Sequence, residues 1–354
     1  MHLFRQCLTA GIALLLLSSC QLGKQPIDLK IIPFPALPHW TGQHYQHALD
    51  AFLQSCSKPI KTGVLHPNVD LDGYAYACKK ARSVPKQAYA ARRFFEQYFT
   101  PYRASHPEAK GFVTGYYEPV LQGSLTPDEQ YKWPLYAPPK GTMPSREAIQ
   151  NGALDGKGLE IVWLNDPVMR FFLHVQGSGK VQLKDGSMRS VRYAAKNGLP
   201  YHSIGKELLK RGELKKGNVS LQTLRDWLYK HPEQRDALFA TNPSYVFFSL
   251  TDDASPPIGA QGVPLTPEHS LAIDPAYLPY GLPVYVHTSL NKPDTRSQAL
   301  ARLLVTQDTG SAIRGPLRAD IFFGRGKSAE QRAGYLQSQA LFFILLPNPP
   351  AEDA

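Results

Sequence analysis

Charged side chains are sparse in this chain. Asp, Glu, Lys and Arg make up 19% of its 354 residues and 43% are hydrophobic, a balance that excludes an intrinsically disordered polymer. Long apolar runs are missing as well: none reaches the roughly 18 residues of a membrane-spanning helix. Cysteine is limited to four residues, too few for a disulfide scaffold at this length. There is no HExxH helix, no zinc-finger spacing and no internal repeat, so no metal site is expected. Gly324-Arg325-Gly326-Lys327-Ser328 ends like a phosphate loop, but Ile321 stands where the first glycine belongs. Asp308-Thr309-Gly310-Ser311 spells the aspartic-protease signature, yet it occurs once, and that chemistry needs two carboxylates sharing a proton.

Proline is abundant, with 31 residues, which favours short strands and loops over long helices. The length suits two domains. Lys and Arg outnumber Asp and Glu by 39 to 29, a net charge of +10 that suits a polyanionic partner. The excess is scattered: Lys79-Lys80-Ala81-Arg82 and Lys215-Lys216 are too short for a nucleic-acid arm, so no nucleic acid is expected. At the N-terminus, Arg5 precedes the short apolar run from Ile12 to Leu17, the pattern of a secretory signal over residues 1–20. Leu17-Ser18-Ser19-Cys20 resembles the bacterial lipobox, which makes Cys20 the expected lipidation site. Gln21 at the next position implies an outer-membrane lipoprotein facing the periplasm of a Gram-negative bacterium. Loss of the signal removes Arg5 and lowers the net charge to +9.

Tyr45, Ala48, Leu49, Phe52, Leu53 and Cys56 recur at helical spacing, as do Leu71, Tyr74, Ala75 and Cys78. Both remaining thiols face a core in an oxidising compartment, either bridged across adjacent helices or buried free. A third helix is expected to carry Ala91, Phe94, Phe95, Tyr98 and Phe99. Strands are expected over Gly111 to Val120, Leu159 to Leu164 and Phe171 to Val175, with a hairpin at Asp185-Gly186. Helices are expected over Ser203 to Lys210 and Ser220 to Tyr229, the latter capped by Ser220. Thr251 to Gly262 reads as a linker, and strands dominate beyond it. His44 and His47 share a helix without a third ligand and read as solvated or capping side chains.

Glycan cleavage needs a carboxylic acid able to protonate a leaving oxygen, aromatic faces for sugar rings and polar groups for hydroxyls and amides. Three aspartates stand at strand ends beside Pro or Gly: Asp274, Asp308 and Asp320. Asp320 opens an apolar run, so it is expected to be desolvated and to hold its proton. Asp274, Asp308 and Asp320, together with Pro279-Tyr280-Gly281-Leu282-Pro283, the run from Asp308 to Gly315 and Ala333-Gly334, look like the three-aspartate (3D) domain. Added to Thr114-Gly115-Tyr116-Tyr117-Glu118-Pro119, Gln176-Gly177-Ser178-Gly179, Lys196-Asn197-Gly198 and the run from Asn242 to Phe248, they resemble the membrane-bound lytic murein transglycosylase A (MltA) family. The match runs from Gly111 to about Leu346. Leu282, where a small or polar residue is common, and a compact inserted domain are small departures.

The resemblance implies a mainly β, α+β protein: a double-psi β-barrel with a helical N-terminal segment and an inserted second β-rich domain, with a groove between them. The boundaries expected are 21–118 and 250–354 for the barrel, with the 3D region at about 267–346, and 119–249 for the insert. It also implies cleavage of the β-1,4 bond between N-acetylmuramic acid and N-acetylglucosamine in peptidoglycan, leaving 1,6-anhydromuramoyl ends without a cofactor. The catalytic aspartate corresponds to Asp320, with Asp308 as a neighbour whose charge raises its pKa and Asp274 as a structural acid. Tyr116 and Tyr117 alternate across a strand, so one of them faces the groove as a sugar platform. Thr114 shares the side of Tyr116, and Gln176, Gly177, Ser178 and Gly179 are candidates to grip an N-acetyl or lactyl group. Cell-wall synthesis complexes are candidate partners. A non-catalytic peptidoglycan-binding lipoprotein and an inverting muramidase using Glu118 or Asp308 to activate water remain open, with the aspartic protease behind them.

Overall fold

A computed structural model describes residues 25–42, 45–60, 65, 69–215, 217, 219–252, 255–290 and 297–350. The expected signal segment, Cys20 and His44 lie outside the described residues. The chain opens with β1 (Asp28–Ile31), α1 (Tyr45–Ser55), α2 (Gly73–Ala81), α3 (Ala88–Tyr98), β2 (Phe99–Ser105) and β3 (Phe112–Glu118). A second group comprises β4 (Val120–Ser124), β5 (Trp133–Tyr136), α4 (Arg146–Gln150), β6 (Glu160–Leu164), α5 (Pro167–Gln176), β7 (Gly179–Leu183), β8 (Met188–Lys196), α6 (Ile204–Lys210), α7 (Leu221–Lys230), α8 (Pro232–Ala240) and β9 (Val246–Thr251). The chain then returns through β10 (Ser270–Ile273), β11 (Pro283–Leu290), β12 (Gln298–Asp308), β13 (Arg318–Arg325), α9 (Lys327–Tyr335) and β14 (Gln337–Pro347).

The first and last groups share one sheet of order β1-β2-β14-β11-β12-β10-β13-β3, and β14 also pairs with β3. That last pairing closes six strands into the expected barrel, with β1 and β2 continuing the sheet outside it. Parallel pairing occurs at β10–β12 and at β13–β3. Consecutive residues of the barrel strands are buried because each face has a cover. Val284, Val286, Leu304 and Ile344 fill the interior, whereas Tyr285, Leu303, Val305 and Phe343 meet Phe52, Phe94 and Phe95 of the N-terminal helices. Cys56 and Cys78 are disulfide-bonded, which ties the end of α1 to α2.

The middle group forms a six-stranded sheet of order β5-β6-β4-β7-β8-β9. Pro119, which has no N–H to donate, separates β3 from β4 and marks the passage between the sheets. Arg225 of α7 pairs with Glu330 of α9, fastening the second group to the barrel. Ser220 caps α7 as expected, with Thr223 completing a capping box.

One expectation is overturned here. Phe171 to Val175 is not a strand but part of α5. Asp166 accepts from the backbone N–H groups of Val168 and Met169, Pro167 takes the first helical position, and Gly177 ends the helix at φ 81°. The run Val168, Phe171 and Phe172 is the buried stripe of that helix. The strands β1 and β2 and the helix α8 had no expectation of their own.

Candidate active site

The groove between the two sheets is built from β3 and β13, which lie parallel with Asp320 beside Thr114 and Phe322 beside Tyr116. The close approach of α9 to β3 depends on Gly115: a Cβ there would stand 2.6 Å from the Phe323 ring and 2.8 Å from the Ala333 backbone. Alternation along β3 then decides between the two tyrosines. Tyr116 lines the groove, while Tyr117 is 3% exposed in the barrel core. Thr114 shares the groove side with Tyr116, as expected from its position two residues earlier.

Asp308 and Asp320 both line a central cavity of about 280 Å³. Asp308 is firmly held. Its Oδ1 accepts from the backbone N–H groups of Ala260 and Thr309, each at 2.9 Å, and its Oδ2 accepts from the Tyr116 hydroxyl at 2.8 Å. Burial pushes the Asp308 carboxyl up, against the opposing pull of those three donors. Burial, reinforced by the Asp308 charge, also pushes the Tyr116 hydroxyl up, so it stays protonated as a donor. The ring of Tyr116 rests against Phe322, 5.2 Å between centroids.

Asp320 is largely buried among polar neighbours. Thr114 Oγ1 donates to its Oδ1, and Arg318 forms an ion pair with the same oxygen while donating from Nη2 to Thr114 Oγ1 at 2.8 Å. Oδ2 carries no protein hydrogen bond among the described residues. Arg318 lies two residues before Asp320 on one strand, so both side chains leave the same face. The carboxyl that burial pushes up is Asp308.

The remaining candidates divide. Asp274 lies outside the cavity, buried under the loop that follows Asp308, where Oδ1 accepts from Ala276 N–H and Oδ2 from Gly315 N–H at 2.9 Å. Gln176 reaches the groove, but its Oε1 accepts from the Tyr117 backbone N–H at 3.1 Å, which leaves the amide nitrogen as its polar group for a ligand. Gly177 and Ser178 line an adjoining cavity. Gly179 does not; it is buried in β7, packed against Leu173 and Pro119. Glu118 is 2% exposed and paired with Arg325 at 2.5 Å, away from the groove.

Four groove residues were not among the candidates read from the sequence. Besides Arg318, Arg146 of α4 lines the cavity with its guanidinium donating to the carbonyls of Asn242 and Ser244 and lying over the Tyr245 ring. It has no carboxylate partner among the described residues, and burial pushes it down to about 10. Beside it, His174 is held neutral by burial and by the Arg146 charge. Tyr201 lines the wall next to both Arg146 and Asp320. Among the described residues, no three His, Cys, Asp or Glu side chains converge on a metal-binding position.

A closed barrel, a large sheet inserted after β3 and an acid pair in the cleft between them define a two-part, groove-forming protein. Its parts match known families: residues 112–249 match the MltA specific insert domain, and residues 269–346 match the 3D domain. The chain belongs to the MltA family. It is 39% identical over 244 residues to membrane-bound lytic murein transglycosylase A of Escherichia coli K12, and 38% identical over 246 residues to the Vibrio cholerae protein of that name. These matches cover 67% and 68% of this chain and 66% of each relative. Among solved structures, a membrane-bound lytic murein transglycosylase from Agrobacterium tumefaciens superposes with a TM-score of 0.81 at 35% identity, covering 90% of this chain and 98% of the other. Escherichia coli MltA with bound chitohexaose gives 0.72 at 29% identity, covering 92% and 96%.

Proposed function

We propose that this protein is a lytic transglycosylase of peptidoglycan, cleaving the β-1,4 bond between N-acetylmuramic acid and N-acetylglucosamine through a single acid/base, Asp320. The observation that carries this reading is the distribution of carboxylates. Asp320 keeps one oxygen without a protein partner in the groove, Asp308 is engaged by three donors, and Glu118 is locked to Arg325 outside it. Among the described residues no second groove carboxylate has an oxygen free of protein donors to activate water, as an inverting hydrolase requires.

With Asp320 protonated, its proton passes to the glycosidic oxygen as the C1–O bond breaks. The resulting carboxylate takes the proton from the muramoyl C6 hydroxyl as that oxygen bonds to C1, which closes the 1,6-anhydro ring and restores the acid. The nucleophile belongs to the substrate, so its effective concentration is already high. Arg318 and Thr114 both hold Asp320 Oδ1 and keep the carboxyl oriented. Tyr116 offers a ring face to sugar C–H groups while its hydroxyl fixes Asp308. Gln176, Gly177 and Ser178 supply polar contacts for acetamido groups, and the chitohexaose bound by the Escherichia coli relative supports a glycan in this groove.

In this reading residues 21–118 and 250–354 carry the acid/base and residues 119–249 supply the opposing wall. The relatives' membrane-bound description supports a periplasmic cell-wall enzyme held to the outer membrane by lipid on Cys20. The test is Asp320→Asn in the soluble chain from Gln21 onward. Digestion of purified sacculi is expected to fall by at least about 100-fold, the usual contribution of a positioned acid/base, with sacculus binding retained. Undiminished digestion refutes the assignment.

A further inference from the structure

The central cavity opens at both ends. Beyond Tyr116 and Gln176 it continues into an arm of about 630 Å³, and past Thr114 and Tyr201 into another of about 660 Å³. Their charges are one-sided. The first arm is lined by Arg192, Lys196 and Arg314, the second by Lys206 and Lys210, with Arg318 at its inner end already paired to Asp320. Each contains a single carboxylate, already engaged: Asp308 by its three donors, and Glu207 by Arg211 at 2.9 Å. Lys196 reaches only the Ser311 hydroxyl, at 3.3 Å, and Arg314 stands 3.7 Å from Asp274 with its side chain 57% exposed. A neutral polysaccharide gives no reason for cations on both sides of the reaction centre. Such cations raise the local concentration of anions and pair with them at short range.

We propose that the two arms bind the carboxylates of stem peptides carried by muramoyl residues on either side of the scissile bond, so that peptide-bearing strands are the preferred substrate. This rests on the transglycosylase reading and deepens it. Muramoyl residues alternate with N-acetylglucosamine, so a strand lying through all three cavities places one peptide on each side of Asp320. Lys196 of β8 and Arg314 of the loop after Asp308 both line the first arm, and the peptide of that arm pairs with them.

The experiment compares kcat/KM on glycan strands with intact stem peptides and on the same strands stripped by an amidase. In the wild type the peptide-bearing strands are expected to be cleaved faster. The double variant Lys196→Gln/Arg314→Gln is expected to lower that preference by roughly two- to thirtyfold, the range given by two partly exposed ion pairs. Added salt is expected to do the same in the wild type. Lys86→Gln, outside the groove, serves as the control and leaves the preference unchanged. Equal wild-type rates on both strands overturn the proposal, as does a double variant that keeps the full preference. If Lys196→Gln/Arg314→Gln does not fold, Lys196→Gln alone and the salt series decide. Absence of anhydro products from either strand is a different outcome and refutes the transglycosylase reading itself.

Discussion

Removing the Tyr116 hydroxyl isolates the bond that steadies the second carboxyl of the site. Tyr116→Phe keeps the ring against Phe322 and deletes the donor 2.8 Å from Asp308 Oδ2, the only described donor to that oxygen. A hydrogen bond to a charged group contributes about 1.5–3 kcal/mol. Loss of this donor is therefore expected to raise the Asp308 pKa further. The sign follows from linkage. Burial already raises this carboxyl in the folded state, so the variant's penalty is present at pH values above the folded pKa, where Asp308 is ionised. It fades as pH falls and is gone below the unfolded value near 3.9, where the group is protonated in both states. Urea denaturation of wild type and variant across that range is expected to give a stability difference of about 1.5–3 kcal/mol where Asp308 is ionised, shrinking as pH falls toward 4. A difference independent of pH would show that the hydroxyl serves packing alone and would refute the argument.

His269 is buried, bonds the Leu303 carbonyl at 2.8 Å, and is pushed down to about 4 by burial. Its folded pKa lies below its unfolded one, so stability is lost as pH falls through 6.5 toward 4. The loss between pH 7 and pH 5 is about 2 kcal/mol by linkage, and His269→Gln is expected to flatten that slope; an unchanged slope counts against the buried neutral imidazole. Cys56→Ser/Cys78→Ser removes a bridge across a separation of 22 residues and is expected to cost about 3 kcal/mol by loop-closure entropy, with a reductant-insensitive wild type as the contrary result. Glu118→Gln is expected to cost about 1–3 kcal/mol at the buried contact with Arg325 while released fragments keep anhydro ends; reducing ends lost in this variant would assign Glu118 to water activation.

The parts legible in the sequence were those written in local pattern. Ser220 announced its helix because an N-cap and an apolar stripe fall within a single turn of each other, and β3 declared which tyrosine side Thr114 shares because side chains alternate. That Cys56 and Cys78 both face a core was legible from their helical stripes, whereas the choice between a bridge and free thiols needed the packing of α1 against α2. Helix α5 was misread because Phe171 to Val175 is apolar at every position but one, and an uninterrupted run suits a buried strand as well as a helix; the Asp166-Pro167 start and Gly177 stop were the deciding signals. Arg318 could have been found by the same alternation that linked Thr114 to Tyr116, since it sits two residues before Asp320. Arg146 could not: its partners, Asn242 and Ser244, are about a hundred positions away, and only the folding of the inserted sheet brings them together. Gly179 was grouped with its neighbours as a loop residue, whereas β7 begins there and turns it inward.

The central claim is that Asp320 forms an anhydro ring without using water. Mass spectrometry of fragments released from purified sacculi by the chain from Gln21 onward tests it most directly. Muropeptides lighter by one water than their reducing counterparts, and absent with Asp320→Asn, are the predicted result. Reducing-end fragments of full mass would contradict it.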